Sequence, residues 1–219
     1  MTKQNDNTAS PPRKQARRVR DAARSHAAIL KAAEETFAAL GFQGASLAAI
    51  ADKAGVSVGL PGYFFGSKEE LHREVLTDVF RRRDLALAAV ATRAEQLLDL
   101  PQPLPEEALD CLIGGYTDFL MENPTFVALL ARDALEHAGS RETAPRHSTE
   151  FADRAMRIMA RAGISEANDD PEQLLLSVIA MCYFPLEHDT TIVAGMGMRA
   201  WTESFRRKRV QHIVRLLRR

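Results

Sequence analysis

Apolar residues recur at three- and four-residue intervals along almost the whole chain, and nowhere do they alternate with polar ones over the length of a strand. Ile29, Ala33 and Phe37 stand four apart, with Leu30 and Leu40 beside them, and predict a helix over about 22–40 that Gly41 closes as a C-cap. A second helix is predicted over 47–54: Ser46 can cap its start, Leu47, Ile50, Ala51 and Ala54 form its inner face, and Gly55 stops it. Ser57 can then cap a third. Ser67 opens a fourth with Glu70 three positions on, the spacing of a capping box. The rest reads as a helical body with elements over about 68–99, 105–122, 124–137, 148–162, 171–187 and 200–218; Pro101, Pro103 and Pro105 separate the first two and Pro124 starts the third. The predicted fold class is all-α.

The second and third helices are separated only by the tight turn "AGVS", the spacing of a helix-turn-helix. Ala51 is small where the two helices must approach, Gly55 supplies a left-handed turn, and Val56 fills the space beneath it. Phe64 and Phe65 are expected to pack back on the first helix, leaving the third exposed, as a recognition helix must be to enter a major groove.

Charge sharpens this picture. The 29 basic and 29 acidic residues balance over the 219-residue chain, but residues 1–73 hold 11 Lys/Arg against 7 Asp/Glu, so the front is basic. Residues 1–20, with Pro11 and Pro12 and few apolar side chains, read as an unstructured arm in which Arg17, Arg18 and Arg20 can meet phosphates; a solubilising tail is the alternative. No apolar stretch follows the N-terminal charges as in a signal peptide, and the longest apolar run, 174–186, is too short to span a bilayer. The expectation is a cytoplasmic protein with no membrane partner.

The stretch "SLAAIADKAGVSVGLPGYFFGSKEEL", preceded by "ILKAAEETFAALGFQGA", resembles the DNA-binding domain of the TetR family of transcriptional repressors over about residues 24–72. The chain departs from the usual pattern in one place. Gly62 stands where a phosphate-contacting tyrosine is common, and Pro61 where an aliphatic packs. The resemblance implies that Ser46 and Lys68 anchor phosphates at helix N-termini, that Ser57, Val58, Gly59, Leu60 and Tyr63 face the groove, and that Val58 and Leu60 can touch thymine methyls. Gly59 and Gly62 let the backbone come close to DNA or another helix, which leaves Tyr63 as the large polar-tipped side chain able to reach it.

The resemblance divides the chain into the arm at 1–20, a helix-turn-helix domain at 21–72 and a helical ligand-binding and dimerisation domain at 73–219. In the last, "LLLSVIAMCYF" (174–184) is apolar nearly all round and so buried on both faces, in a core or at a subunit interface. By analogy with the family it pairs with the final helix across a twofold axis, through Leu175, Ile179, Trp201, Phe205, Val210, Ile213, Val214 and Leu217. Tyr116, Phe119, Phe126, Leu130, Met156, Met159, Met181 and Tyr183 are the candidate walls of a small-molecule pocket.

No catalytic constellation, cofactor motif or metal spacing is present: His26, His72, His137, His147, His188 and His212 are scattered, and Cys111 and Cys182 read as buried thiols, with a redox pair as the alternative. The function implied is a regulator, not an enzyme. It would bind a palindromic double-stranded operator as a homodimer and release it to an inducer of unknown identity. The competing class is a helical binding protein or enzyme that reuses the helix-turn-helix for packing.

Overall fold

The computed structural model describes residues 12–136, 150–164 and 170–218, all helices and connections, with no strand among them. The chain divides into two compact units, Met1–Val75 and Leu76–Arg219.

The first unit contains α1 (Pro12–Gly44), α2 (Leu47–Ala54), α3 (Leu60–Phe65) and the opening turns of α4 (Lys68–Leu98). Residues 1–11 lie outside the described residues, but 12–20, expected to belong to an unstructured arm, are helical. Pro12 is the first residue of α1, a position where its missing N–H costs nothing. From there to Arg24 the run lacks glycine, and extending a nucleated helix fixes only one residue per added hydrogen bond, so little burial is needed. Ile29, Ala33 and Phe37 are fully buried as the stripe predicts, whereas Leu40 is more than half exposed and lies outside the core. The interruption expected at Gly41 is present (φ 71°, ψ 176°).

The second unit is built around α5 (Pro105–Glu122), against which α6 (Pro124–Glu136), α7 (Glu150–Arg161), α8 (Pro171–Glu187) and α9 (Glu203–Leu217) all pack. Gly114 and Gly115 let two neighbours approach α5 closely. A Cβ on Gly115 would stand 2.6 Å from the Val90 side chain of α4, and one on Gly114 would stand 3.1 Å from Arg206 of α9. Arg206 lies over that gap and closes a two-bond ion pair with Asp118, one turn on, at 2.6 Å for each bond.

This packing corrects part of the dimer expectation. Val210, Ile213 and Val214 are buried within the single subunit, because the apolar face of α9 covers α5. Trp201 is half-buried and precedes α9, whose first turn is capped by the Thr202 hydroxyl accepting from Phe205 N–H at 3.2 Å.

In α8, Pro185 has no N–H for the Met181 carbonyl four residues back. Arg209 Nε of α9 donates to that carbonyl at 2.8 Å, so a bond between helices replaces the one proline removes. A π-helical turn, Asp189–Val193, ends α8.

Candidate functional site

The turn between α2 and α3 is closed by two backbone bonds, Val56 N–H to Ala51 O and Gly55 N–H to Asp52 O, both 3.0 Å. Gly55 sits at φ 66°, ψ 36°, the left-handed cap that this Schellman arrangement requires. Beyond the turn, Leu60 N–H bonds to Ser57 O at 2.9 Å and α3 begins at Leu60, with Gly59 as its N-cap. The cap expected at Ser57 is therefore two residues further on. Pro61 falls at the second helical position, where its missing N–H would have had no intrahelical partner, and its ring is buried.

The element points outward. Val58 is 66% exposed and Tyr63 80%, Ser57 and Gly59 are exposed, and Leu60 and Gly62 are partly so. A Cβ at Gly59 or Gly62 would meet nothing within 4 Å and neither has positive φ, so neither the packing nor the backbone of the chain demands glycine there. Tyr63 rests edge-on against Phe64 (5.4 Å, 74°). Phe64 and Phe65 turn back to α1, where both contact His26, at 5.7 and 4.5 Å between ring centroids. His26 is a functional support that pattern reading missed, since a lone histidine on a helix carries no spacing signal.

At the entrance to α2, Ser46 Oγ accepts from Ala49 N–H at 3.1 Å, so its own O–H remains free to donate. At the start of α4 the capping box is complete: Ser67 N–H donates to Glu70 Oε2 at 2.8 Å and Glu70 N–H to Ser67 Oγ at 3.1 Å. Hydrogen bonding to the carboxyl, first from the Ser67 N–H and then from the Ser67 hydroxyl, holds Glu70 below its ordinary value.

Lys68, expected to anchor a phosphate, is also tied to the protein itself. Its ammonium donates to Phe42 O (3.0 Å) and Ala45 O (3.2 Å) and lies 4.3 Å from the centre of the Phe42 ring. Two of its three donors thus hold the chain between α1 and α2, where helix-end carbonyls need partners. Arg17 is exposed and 3.8 Å from Asp21, Arg20 is exposed, and the Arg18 side chain lies outside the described residues.

In the second unit a cavity of about 20 Å³ is lined by Leu112, Ile113 and Tyr116 of α5, Phe151, Ala155 and Met159 of α7, and Leu175, Val178 and Ile179 of α8. Burial raises the Tyr116 phenol well above its ordinary value, so it stays a neutral donor.

Two family models divide the chain between them. "Bacterial regulatory proteins, tetR family" matches residues 29–75, and "Tetracyclin repressor-like, C-terminal domain" matches 105–217, more than half the chain. The chain belongs to the TetR family. It is 31% identical over 179 residues to the HTH-type transcriptional repressor NicS of Pseudomonas putida, covering 78% of this chain and 80% of that one. It is 29% identical over 104 residues to the HTH-type transcriptional regulator BetI of Vibrio campbellii, covering 47% and 49%. A TetR-like transcriptional regulator from Rhodococcus sp. RHA1 shares the fold, with a TM-score of 0.59 at 22% identity over 89% of this chain and 94% of that one. The protein is a DNA-binding transcriptional regulator.

Within this TetR-family chain, only Tyr116 and Met159 of the eight predicted pocket residues line the cavity. Phe119 packs edge-on against Phe126 (5.2 Å) and Phe126 edge-on against Phe80 (5.6 Å) in the core, and Tyr183 donates to Val127 O at 3.0 Å. Leu130, Met156 and Met181 are half-buried elsewhere. Leu175 and Ile179, expected at a subunit interface, stand on the α8 wall of the cavity. The α7 wall was legible in principle, because Phe151, Ala155 and Met159 stand four apart.

The exposed apolar residues of α8 are Leu176, Ala180 and Phe184, again four apart, and the His188 ring lies tilted against Phe184 at 4.3 Å. Trp201, Phe205 and Leu217 are half-buried. Cys182 is buried, its thiol pushed up to about 11 by that burial; Cys111, also expected to be buried, is half-buried, and desolvation raises its thiol as well. Among the described residues no group of side chains could hold a metal ion, and no helix is long and apolar enough to cross a membrane.

Proposed function

We propose that the protein is a cytoplasmic repressor that binds a palindromic operator as a homodimer and releases it when a small molecule enters the second unit. The observation that carries this reading is the outward-facing α3, seated on the Schellman turn with Val58 and Tyr63 exposed while Phe64 and Phe65 hold it to α1. A helix-turn-helix reused for packing would bury those side chains. Val58 and Leu60 offer apolar contact to thymine methyls, Tyr63 and Ser57 offer hydroxyls, and the free O–H of Ser46 suits a phosphate. Lys68 contributes by holding the loop that carries Ser46. The N-terminal arginines of α1 add electrostatic attraction.

A twofold operator needs two such helices about 34–36 Å apart, hence two subunits. The exposed α8 face of Leu176, Ala180 and Phe184 is the surface proposed to pair them, with Trp201, Phe205 and Leu217 at its margin. The name of NicS, a repressor, supports repression over activation. The deciding experiment is a gel shift with the DNA flanking the protein's own coding region, titrated against salt. Binding that weakens steeply with salt and falls at least tenfold in Tyr63→Ala is expected; an unshifted fragment at low salt overturns the reading.

A further inference from the structure

From Ala54 to Ser67 the chain carries no charged and no amide side chain. That span holds the whole of the turn and of α3. The cations on either side of it are engaged with the protein: Lys53 pairs with Glu35 of α1 at 3.0 Å, and two of the three Lys68 donors go to the Phe42 and Ala45 carbonyls. In a major groove, purines are read by forked or cationic side chains, arginine or lysine on the N7 and O6 of guanine and asparagine or glutamine on adenine. The turn and α3 offer none of these.

What they do offer is short, apolar and fixed in place. Val58 is 66% exposed, yet its backbone is held on both sides. Val56 N–H donates to Ala51 O (3.0 Å) before it, and Leu60 N–H to Ser57 O (2.9 Å) and Tyr63 N–H to Gly59 O (3.0 Å) after it. A valine has a single, stiff side-chain torsion, so it loses little freedom on contact, where an arginine would lose much. Valine and leucine end close to the backbone and can touch base edges only if that backbone lies deep in the groove. Gly59 and Gly62 permit this approach. A Cβ on either would meet nothing within 4 Å, and neither has positive φ, so the fold itself gives no reason for two glycines there. The apolar group that base edges present in the major groove is the C5 methyl of thymine.

We propose that the protein reads its operator through thymine C5 methyl groups, packed against Val58 and Leu60, and not through the N7 acceptor of guanine. The proposal rests on the DNA-binding reading of α3 above and adds which base feature that helix distinguishes. The Ser57 and Tyr63 hydroxyls are then left for phosphates.

The test uses the full-length protein and the DNA flanking its own coding region, amplified from one template in three forms: with ordinary nucleotides, with deoxyuridine replacing thymidine, and with 7-deazaguanine replacing guanine. The second form lacks only the thymine methyls and the third only the guanine N7 acceptors. The wild type is expected to bind the uracil form weaker by about tenfold or more, the scale set by a few buried methyl groups. It is expected to bind the 7-deazaguanine form within about twofold of the ordinary one. The dependence of affinity on salt should match between the ordinary and uracil forms, because the phosphate contacts are unchanged. Val58→Ala is expected to lose affinity for the ordinary form while binding the uracil form within about twofold of the wild type, so that its preference between them shrinks. Leu60→Ala is expected to behave in the same way; Leu60 is partly buried, so a melting curve checks that this variant is folded, and the exposed Val58 carries the comparison if it is not. Wild-type binding as tight to the uracil form as to the ordinary one overturns the proposal. So does a Val58→Ala protein that keeps the full preference, which would mean that the methyls act through the shape of the duplex. A loss of about tenfold on the 7-deazaguanine form overturns it as well, since guanine would then be read directly. A wild-type protein that fails to shift the ordinary form at low salt overturns the DNA reading instead, a distinct result.

Discussion

Gly62 shows how far single residues can be read. A glycine inside a six-residue helix costs about 1 kcal/mol relative to alanine, and here neither a left-handed backbone nor a close neighbour requires it. Gly62→Ala should therefore raise stability by about 0.5–1 kcal/mol while weakening DNA binding, if the bare backbone lies against the duplex. Urea denaturation and a gel shift on the same protein check both signs, and unchanged DNA affinity would count against a role for Gly62 at the interface. Lys68 teaches the opposite lesson. Its place at a helix start suggested an anion, and two of its three donors go to the Phe42 and Ala45 carbonyls, 26 and 23 residues away in sequence. No local pattern encodes that distance.

Element boundaries were legible wherever a capping side chain or a proline marks them. Ser46, Pro105, Pro124 and Pro171 each stand at or beside an observed helix start, and the Ser67–Glu70 box closes as its spacing implies. Failures came where two starts compete locally, as at Ser57 and Gly59. They also came where propagation outweighs composition, as in the first turns of α1. The α8–α9 pair adds a dependence that no single element shows. Arg209→Met leaves the Met181 carbonyl without its donor and should cost about 1–3 kcal/mol; in a Pro185→Ala background, which restores an N–H four residues on, the same change should cost measurably less. A double-mutant cycle by denaturant melting tests this, and additive costs would refute the substitution of one bond for the other. Across α4 and α5, Gly115→Ala should cost about 1–3 kcal/mol by overpacking Val90, with Val90→Ala recovering part of the loss.

For the whole molecule, stability in acid follows from the two-pronged pair that Arg154 of α7 makes with Glu95 of α4. The hydrogen bonds from Arg154, then its charge, hold the Glu95 carboxyl below its ordinary value of 4.5. A carboxyl depressed in the folded state contributes stability that is fully present above the unfolded value and is lost as pH falls through the folded one. Urea midpoints should thus fall between about pH 5 and pH 3, and less steeply in Glu95→Gln than in the wild type; equal slopes would show that Glu95 does not contribute. The sequence by itself determined the helices and the helix-turn-helix, because both follow from contacts within a few residues: period, cap, turn. Tertiary structure alone decided which apolar face meets which neighbour. Leu175 and Ile179 became cavity wall, Val210, Ile213 and Val214 became core against α5, and Arg154 found α4. An apolar stripe specifies that a face must be covered, but hydrophobic attraction has no direction, so the identity of the cover is set only when all the helices pack at once.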